Sequence, residues 1–352
     1  MQRLGKKIIP LLGVALMPGY TLANDTTEWS KRISISGSIE AEVTSGTDYT
    51  RVKQSDVRLA TVELAIDAAV NERVTGHLLL LHEEGGASTE VDEGTITMNL
   101  NAAGSLYLVA GRMYLPFGRY ETGLLSDPLA LEIGETRDSA LQLGFDNSAF
   151  RGSLFLFNGA TIENSAAVQG AERNNHYGFN IGYTHKSDAV SVDVGVGYVN
   201  SIGDSLGLTE KITPNANGDP ELSAYVSGQV WHGSIEKGDF LGIIEILGAD
   251  EFQAGELAFN GEGASPEASN IELDYHFKLY GKASTLAIAH QTTAESLALA
   301  LPEKRRLVGL SVEIYDATIV GVEYSRDVDY SIDDGGSGKE ASMVTLQLAV
   351  AF

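Results

Sequence analysis

The chain has 352 residues, 39 glycines, 8 prolines, no cysteine and a formal net charge of −24. Without cysteine there is neither a disulfide framework nor a thiolate metal site. The acidic balance excludes a nucleic-acid binder, which needs a basic face, and a hydrophobic fraction of 43% excludes a disordered chain.

Arg3, Lys6 and Lys7 precede an apolar run, Ile8–Tyr20, that Pro10 and Pro18 interrupt, and Thr21-Leu22-Ala23 follows. This predicts a Sec-type signal peptide over 1–23, because the run is shorter than the ~20 apolar residues of a spanning helix. Residues 24–30 are then a short periplasmic segment. No later stretch is apolar enough for a transmembrane helix, so the remainder is either water-soluble or crosses an outer membrane as strands.

From residue 31 the pattern has a period of two. Ile33, Ile35, Ile39 and Val43 alternate with Ser34, Ser36, Ser38, Glu40 and Glu42. Asn270–Gly281 is the clearest case: Ile271, Leu273, Tyr275, Phe277 and Leu279 face one way, Glu272, Asp274, His276 and Lys278 the other. The chain ends in the same manner, with Val344, Leu346, Leu348, Val350 and Phe352 sharing a parity. Strands are predicted at 31–43, 56–70, 73–83, 92–100, 105–111, 138–145, 149–158, 175–186, 189–200, 221–231, 238–248, 269–280, 284–292, 305–315, 317–327 and 341–352. Connections alternate between short turns and long segments. The short ones include Asn71-Glu72, Asn101–Gly104 and His232–Lys237; the long ones fall near 44–55, 84–91, 112–137, 159–174, 201–220, 249–268, 293–304 and 328–340. Phe252–Asn260 is placed in a long loop, since a further strand would break the even count.

Alternation alone fits a soluble sandwich as well. Strands of about ten residues with one charged face, short turns opposite long loops, and aromatics at apolar strand ends (Tyr183, Tyr198, Phe240, Tyr324, Phe352) instead describe an outer-membrane barrel. The expected fold is all-β: a 16-stranded antiparallel transmembrane β-barrel over 31–352 with an inward-folded third long loop. Sixteen strands leave an aqueous lumen.

That third loop departs from the pattern. Met113, Leu115, Phe117, Leu124, Leu125, Leu129, Leu131 and Ile133 are mixed with Arg112, Arg119, Glu121, Asp127, Glu132, Glu135, Arg137 and Asp138. So many large apolar groups predict a segment folded against a wall, with its charges forming a constriction over 112–137. Glu63, Asp67, Glu245, Glu272, Asp274, His276 and Lys278 are the expected lumen-wall charges. For individual loop residues, internal pairing (Arg119 with Glu121, Arg137 with Glu135) competes with solute binding. Pro116-Phe117-Gly118 and Asp127-Pro128 read as bend points.

Gly111–Phe145, with Tyr114-Leu115-Pro116-Phe117-Gly118, Glu121-Thr122, Ser126-Asp127-Pro128-Leu129 and Gly134-Glu135-Thr136, resembles the hallmark segment of the LbtU-family siderophore porins. The resemblance implies a Gram-negative outer-membrane channel that passes a siderophore or its iron complex passively. Some members carry a coiled-coil extension before the barrel, which residues 24–30 do not supply. On this reading Arg112, Arg119 and Arg137 hold anionic cargo through their guanidinium forks. A general or organic-acid porin and a barrel hydrolase are the rival readings. The second rests on Gly203-Asp204-Ser205-Leu206-Gly207, whose G-x-S-x-G pattern carries meaning only at a strand-to-helix turn of an α/β sheet. Expected partners are outer-membrane lipid and lipopolysaccharide, the barrel-assembly machinery through Phe352, a small solute or siderophore, and a possible homotrimer. No cofactor, metal or nucleic acid is expected.

Overall fold

The computed structural model describes residues 32–86, 88–163, 175–215 and 218–352. The leader expected over 1–23 and the segment 24–30 lie outside them. Sixteen long strands form one closed sheet. They are β1 Ile33–Thr47, β2 Lys53–Ala69, β3 Val74–His82, β4 Glu90–Asn99 and β5 Leu106–Tyr114. After the third long loop come β6 Arg137–Asp146, β7 Phe150–Phe157, β8 His176–Lys186, β9 Ser191–Val199, β10 Gly228–Lys237 and β11 Phe240–Ala249. The circuit ends with β12 Glu267–Leu279, β13 Lys282–Ala294, β14 Lys304–Tyr315, β15 Thr318–Val328 and β16 Glu340–Ala351. Each strand pairs antiparallel with the next, and β16 pairs back onto β1, from Ala351 against Ser38 to Ser342 against Thr47. Phe352 adds a rung at the seam: its N–H donates to Gly37 O (3.0 Å) and its carbonyl accepts from Gly37 N (2.9 Å).

Polarity is inverted relative to a water-soluble β protein. On β12, Ile271 is 57% exposed while Glu272 beside it is 3% exposed; on β7, Leu154 is 64% exposed. Apolar side chains outside and polar ones inside suit a wall between lipid and water, whereas a sandwich buries the apolar set. Aromatics gather at both ends of the outer belt. Phe150 with Tyr183 and Phe240 with Tyr275 lie near the short turns, and Phe179 with Tyr198 lies near the long loops. Among the described residues no helix is long and apolar enough to cross a membrane.

The tenth strand and the first long loop differ most from the sequence reading. The tenth strand runs over Gly228–Lys237, later than 221–231, and His232–Lys237 is strand rather than turn. His232 pairs with Glu245 in register, and the reversal waits for Gly238, whose φ of +61° a β-carbon would disfavour. Glu221-Leu222 instead form a two-residue parallel pair with Ile162-Glu163 among the long loops. The first long loop shrinks from 44–55 to 48–52, because the Asp48 carboxylate accepts from Thr50 N (2.8 Å) and Val52 N (2.9 Å) and closes a tight reversal. Within 252–260, only Ala258-Phe259 is extended, paired with Glu262-Gly263 across Asn260-Gly261 and outside the barrel ladder.

Candidate functional site

Loop 115–136 lies against the inner wall and reaches strands on the far side of the barrel. Its neck closes where Leu115 N donates to Thr136 O (2.8 Å). It then bends at Pro116-Phe117, with Phe117 N donating to Leu115 O (2.8 Å) in a three-residue turn. Phe117 presses its carbonyl onto β9 at Gly197, where a β-carbon would lie 2.2 Å from that oxygen.

Beyond this point the loop is held by a row of wall carboxylates. Glu245 of β11 accepts from Arg119 N (2.8 Å) and Tyr120 N (2.9 Å). Glu272 of β12 accepts from Gly123 N (2.6 Å) and Thr122 Oγ1 (2.8 Å). Glu323 of β15 accepts from Leu125 N (2.6 Å), Ser126 N (3.1 Å) and the Ser126 hydroxyl. All three carboxylates are buried. A buried carboxylate must be hydrogen-bonded, and loop amides that have left the strand ladder need acceptors. Each group solves the other's desolvation problem.

The loop returns through a short helix, α1 (Leu129–Gly134), which Pro128 precedes. Leu129 N donates to Gln291 Oε1 of β13 (3.2 Å). Leu129, Ala130 and Ile133 pack with Phe117, Phe155, Val230, Leu247 and Leu208 into an apolar core inside the tube. Loops 200–227, 250–266 and 295–303 add Ile202, Leu222, Phe252 and Leu301 to it.

The expected site residues sort into several fates. Arg119 pairs with Glu121 on the loop, both partly exposed, as the pairing alternative anticipates. Arg137 does not face solute: its side chain is 7% exposed, held by Asp92 and by Glu90 (3.1 Å). Two β4 acids are thus its partners. Arg112 is a correction of a different kind. It shares parity with Leu106, Leu108 and Ala110 and pairs in register with Gly94 and Ser139, so it lies on the outer surface. Met113, its neighbour, takes the inward place in the core. Asp127 and Glu132 are half-buried on the loop, Glu135 is buried, and Asp138 accepts from Gly159 N (2.7 Å).

On the wall, Glu63 accepts from Ser38 Oγ (3.2 Å) and Asp67 meets His77 Nδ1 (2.7 Å). Asp274 is buried with its carboxylate against Gly123. His276, bonded to Thr285 Oγ1 (3.0 Å), and Lys278 stay exposed near the short turns, away from the loop. Glu245 and Glu272 therefore face inward as expected, but they anchor the loop.

Sequence reading missed Glu323 and Gln291 as anchors, and it missed three inward arginines. Arg58 pairs with Glu42 (2.5 Å), Arg151 with Asp193 (2.5 Å) and Arg305 with Asp327 (2.9 Å). Parity was the available signal, since Leu307 (inward) shares a face with Arg305 and Phe155 with Arg151. Ser205 is fully buried at the start of a second short helix, α2 (Leu206–Thr209), and its hydroxyl accepts from Leu208 N (3.3 Å). Its role there is a helix cap.

A closed sixteen-stranded barrel with a loop folded against its inner wall is the architecture of porin-type outer-membrane channels. OprB of Pseudomonas putida superposes with a TM-score of 0.64 at 10% identity, covering 92% of this chain and 95% of that one. The outer membrane channel DcaP of Acinetobacter baumannii gives 0.59 at 12%, covering 91% and 97%. OmpT of Vibrio cholerae, an outer membrane protein in a trimer form, gives 0.58 at 11%, covering 91% and 99%. In sequence, UPF0422 proteins of Legionella pneumophila strains Paris and Philadelphia 1 are 26% and 27% identical over 357 and 358 residues. A UPF0422 protein of Coxiella burnetii strain RSA 493 is 26% identical over 343 residues. The matches take in 91% of this chain, which spans 66% of the length of those Legionella relatives. No family model matches the chain.

Proposed function

We propose that the protein is a passive outer-membrane channel for small hydrophilic solutes, with a preference for cations. The observation that carries this reading is the barrel interior, crossed by loop 115–136 and lined by acids. The inward arginines Arg58, Arg151 and Arg305 are each already paired with a carboxylate. A lumen with paired guanidiniums and additional carboxylates concentrates cations. The porin-like barrel fold supports the location and the passive mode. The trimeric form of the V. cholerae relative by fold makes a homotrimer the assembly to test first.

The resemblance of residues 111–145 to siderophore porins adds a siderophore or its iron complex as the first cargo to try. With Arg112 on the outer surface and Arg137 paired to β4, the loop offers Arg119 alone of the three, and that residue pairs with Glu121. A cargo of neutral or positive charge suits this interior; an organic-acid porin would require unpaired inward cations. Liposome swelling tests the proposal. Vesicles loaded with the refolded chain are expected to swell in neutral sugars and in cationic ferric siderophores, and more slowly in anionic ones. Equal rates for both signs of charge, or none above empty vesicles, would remove it.

A further inference from the structure

On the outer surface near the long loops, His290 of β13 pairs in register with Arg306 of β14, and Arg306 with Arg326 of β15. These side chains share the outward parity of Ile288, Val308 and Tyr324 and are exposed. Two guanidiniums directly opposite each other on one face of an antiparallel pair repel. The neighbouring charges compensate only in part. Arg326 pairs with Glu340 (2.5 Å) and Lys304 with Glu303 (2.7 Å), while Arg306 makes no ion pair with any described residue. Lys304, Arg306, Arg326, Val328 and Glu340 line a recess of about 140 Å³.

Directly toward the short turns on the same face lie Val308, Val322, Tyr324, Val344 and Leu346, all exposed. Arg112 offers a contrast. It also faces outward at the long-loop end, but Gly94 and Ser139 flank it, and no second cation stands opposite.

We infer that the Arg306–Arg326 row is a binding site for the phosphate headgroup of a membrane glycolipid in the leaflet on the long-loop side, its acyl chains lying along the apolar strip below. A phosphate monoester accepts from both guanidinium forks and so converts their repulsion into two charge-assisted contacts. Arginine on the lipid face is tolerated at headgroup depth and costly at the bilayer midplane, and the row sits beyond Tyr324, where an interfacial aromatic belongs. A free anion in water would not need the apolar strip. The inference rests on the barrel spanning the outer membrane.

Native mass spectrometry of the detergent-purified chain tests it, with bis-phosphorylated lipid A, the same lipid dephosphorylated, and inorganic phosphate as competitor. The phosphorylated lipid is expected to stay bound, and the dephosphorylated one to be retained about a hundredfold less, the effect of losing two charge-assisted contacts at about tenfold each. The double variant Arg306→Gln/Arg326→Gln should lose binding to a similar extent, whereas Arg112→Gln should not. Glu340→Ala, which releases Arg326 from its carboxylate, should hold the lipid more tightly. Equal retention of both lipids, wild-type retention by the double variant, weaker retention by Glu340→Ala, or complete displacement by inorganic phosphate would overturn the assignment. Any of these results in a barrel that still shows heat-modifiable gel migration overturns this site alone; a chain monodisperse without amphiphile would instead overturn the channel reading.

Discussion

Glu323 accepts from three groups of one loop, and its removal should be felt there before anywhere else in the barrel. Glu323→Ala leaves the buried amide of Leu125 and the half-buried amide of Ser126 without an acceptor, a loss of about 1–3 kcal/mol of loop docking. Single-channel recordings should then show larger and noisier conductance. Glu245→Ala should behave alike through Arg119 N and Tyr120 N. An unchanged trace from both variants would mean that the anchors do not hold the loop. Asp334, in the last long loop, brings a dependence on pH. Hydrogen bonds from Ser331 and, next, from Asn260 hold the Asp334 carboxyl below its ordinary value of 3.8. A lowered carboxyl stabilises the folded state above 3.8, and this contribution is lost as pH falls through the depressed value. Protection factors for hydrogen exchange across 257–263 and 329–339, taken relative to the intrinsic rate at each pH, should therefore fall below pH 3.8 in the wild type, with a smaller change in Asp334→Asn. The sequence disclosed which residues carry charge and which face they share. It did not disclose partners, because Glu245 meets Arg119 and Glu323 meets Leu125 across the tube, and no local period encodes such a contact.

Loop 115–136 was legible as an inward element from its own composition. Leu129, Ala130 and Ile133 lie on one side of a helix that alternation could not announce, and Pro128 ahead of them was the available start signal. Its seat on the wall was not legible, because the wall contributes an absence: Gly197 is bare where Phe117 presses in. Gly197→Ala places a methyl against backbone, so either β9 or the loop must move, at a cost of about 1–3 kcal/mol. Limited proteolysis between Gly118 and Ser126 should accelerate several-fold in this variant while heat-modifiable migration persists. Protection equal to wild type would contradict docking of Phe117 against Gly197.

At the scale of the whole molecule, the period of two was sufficient for sixteen strands, their order and both faces. Glu272, which a sandwich would expose, is buried here, and its neighbour Ile271 is exposed. Where reversals fall was less legible. A tight turn depends on one or two residues, Asp48 or Gly238, whose side-chain bond or positive φ outweighs the polar composition around it. The arginine assignments suffered from the same break in pattern. Arg112 continues the outward parity of β5 although it stands beside the loop, and Arg137 finds its carboxylates on β4.

The proposed channel is a water-filled tube whose interior charge is carboxylate. Its most direct measurement is the zero-current potential of the refolded chain in a planar bilayer under a potassium chloride gradient. The potential is expected to have the sign set by potassium permeation and to move toward zero as the bath is acidified and the lumen acids protonate. A potential set by chloride, or a membrane that stays silent, would contradict it.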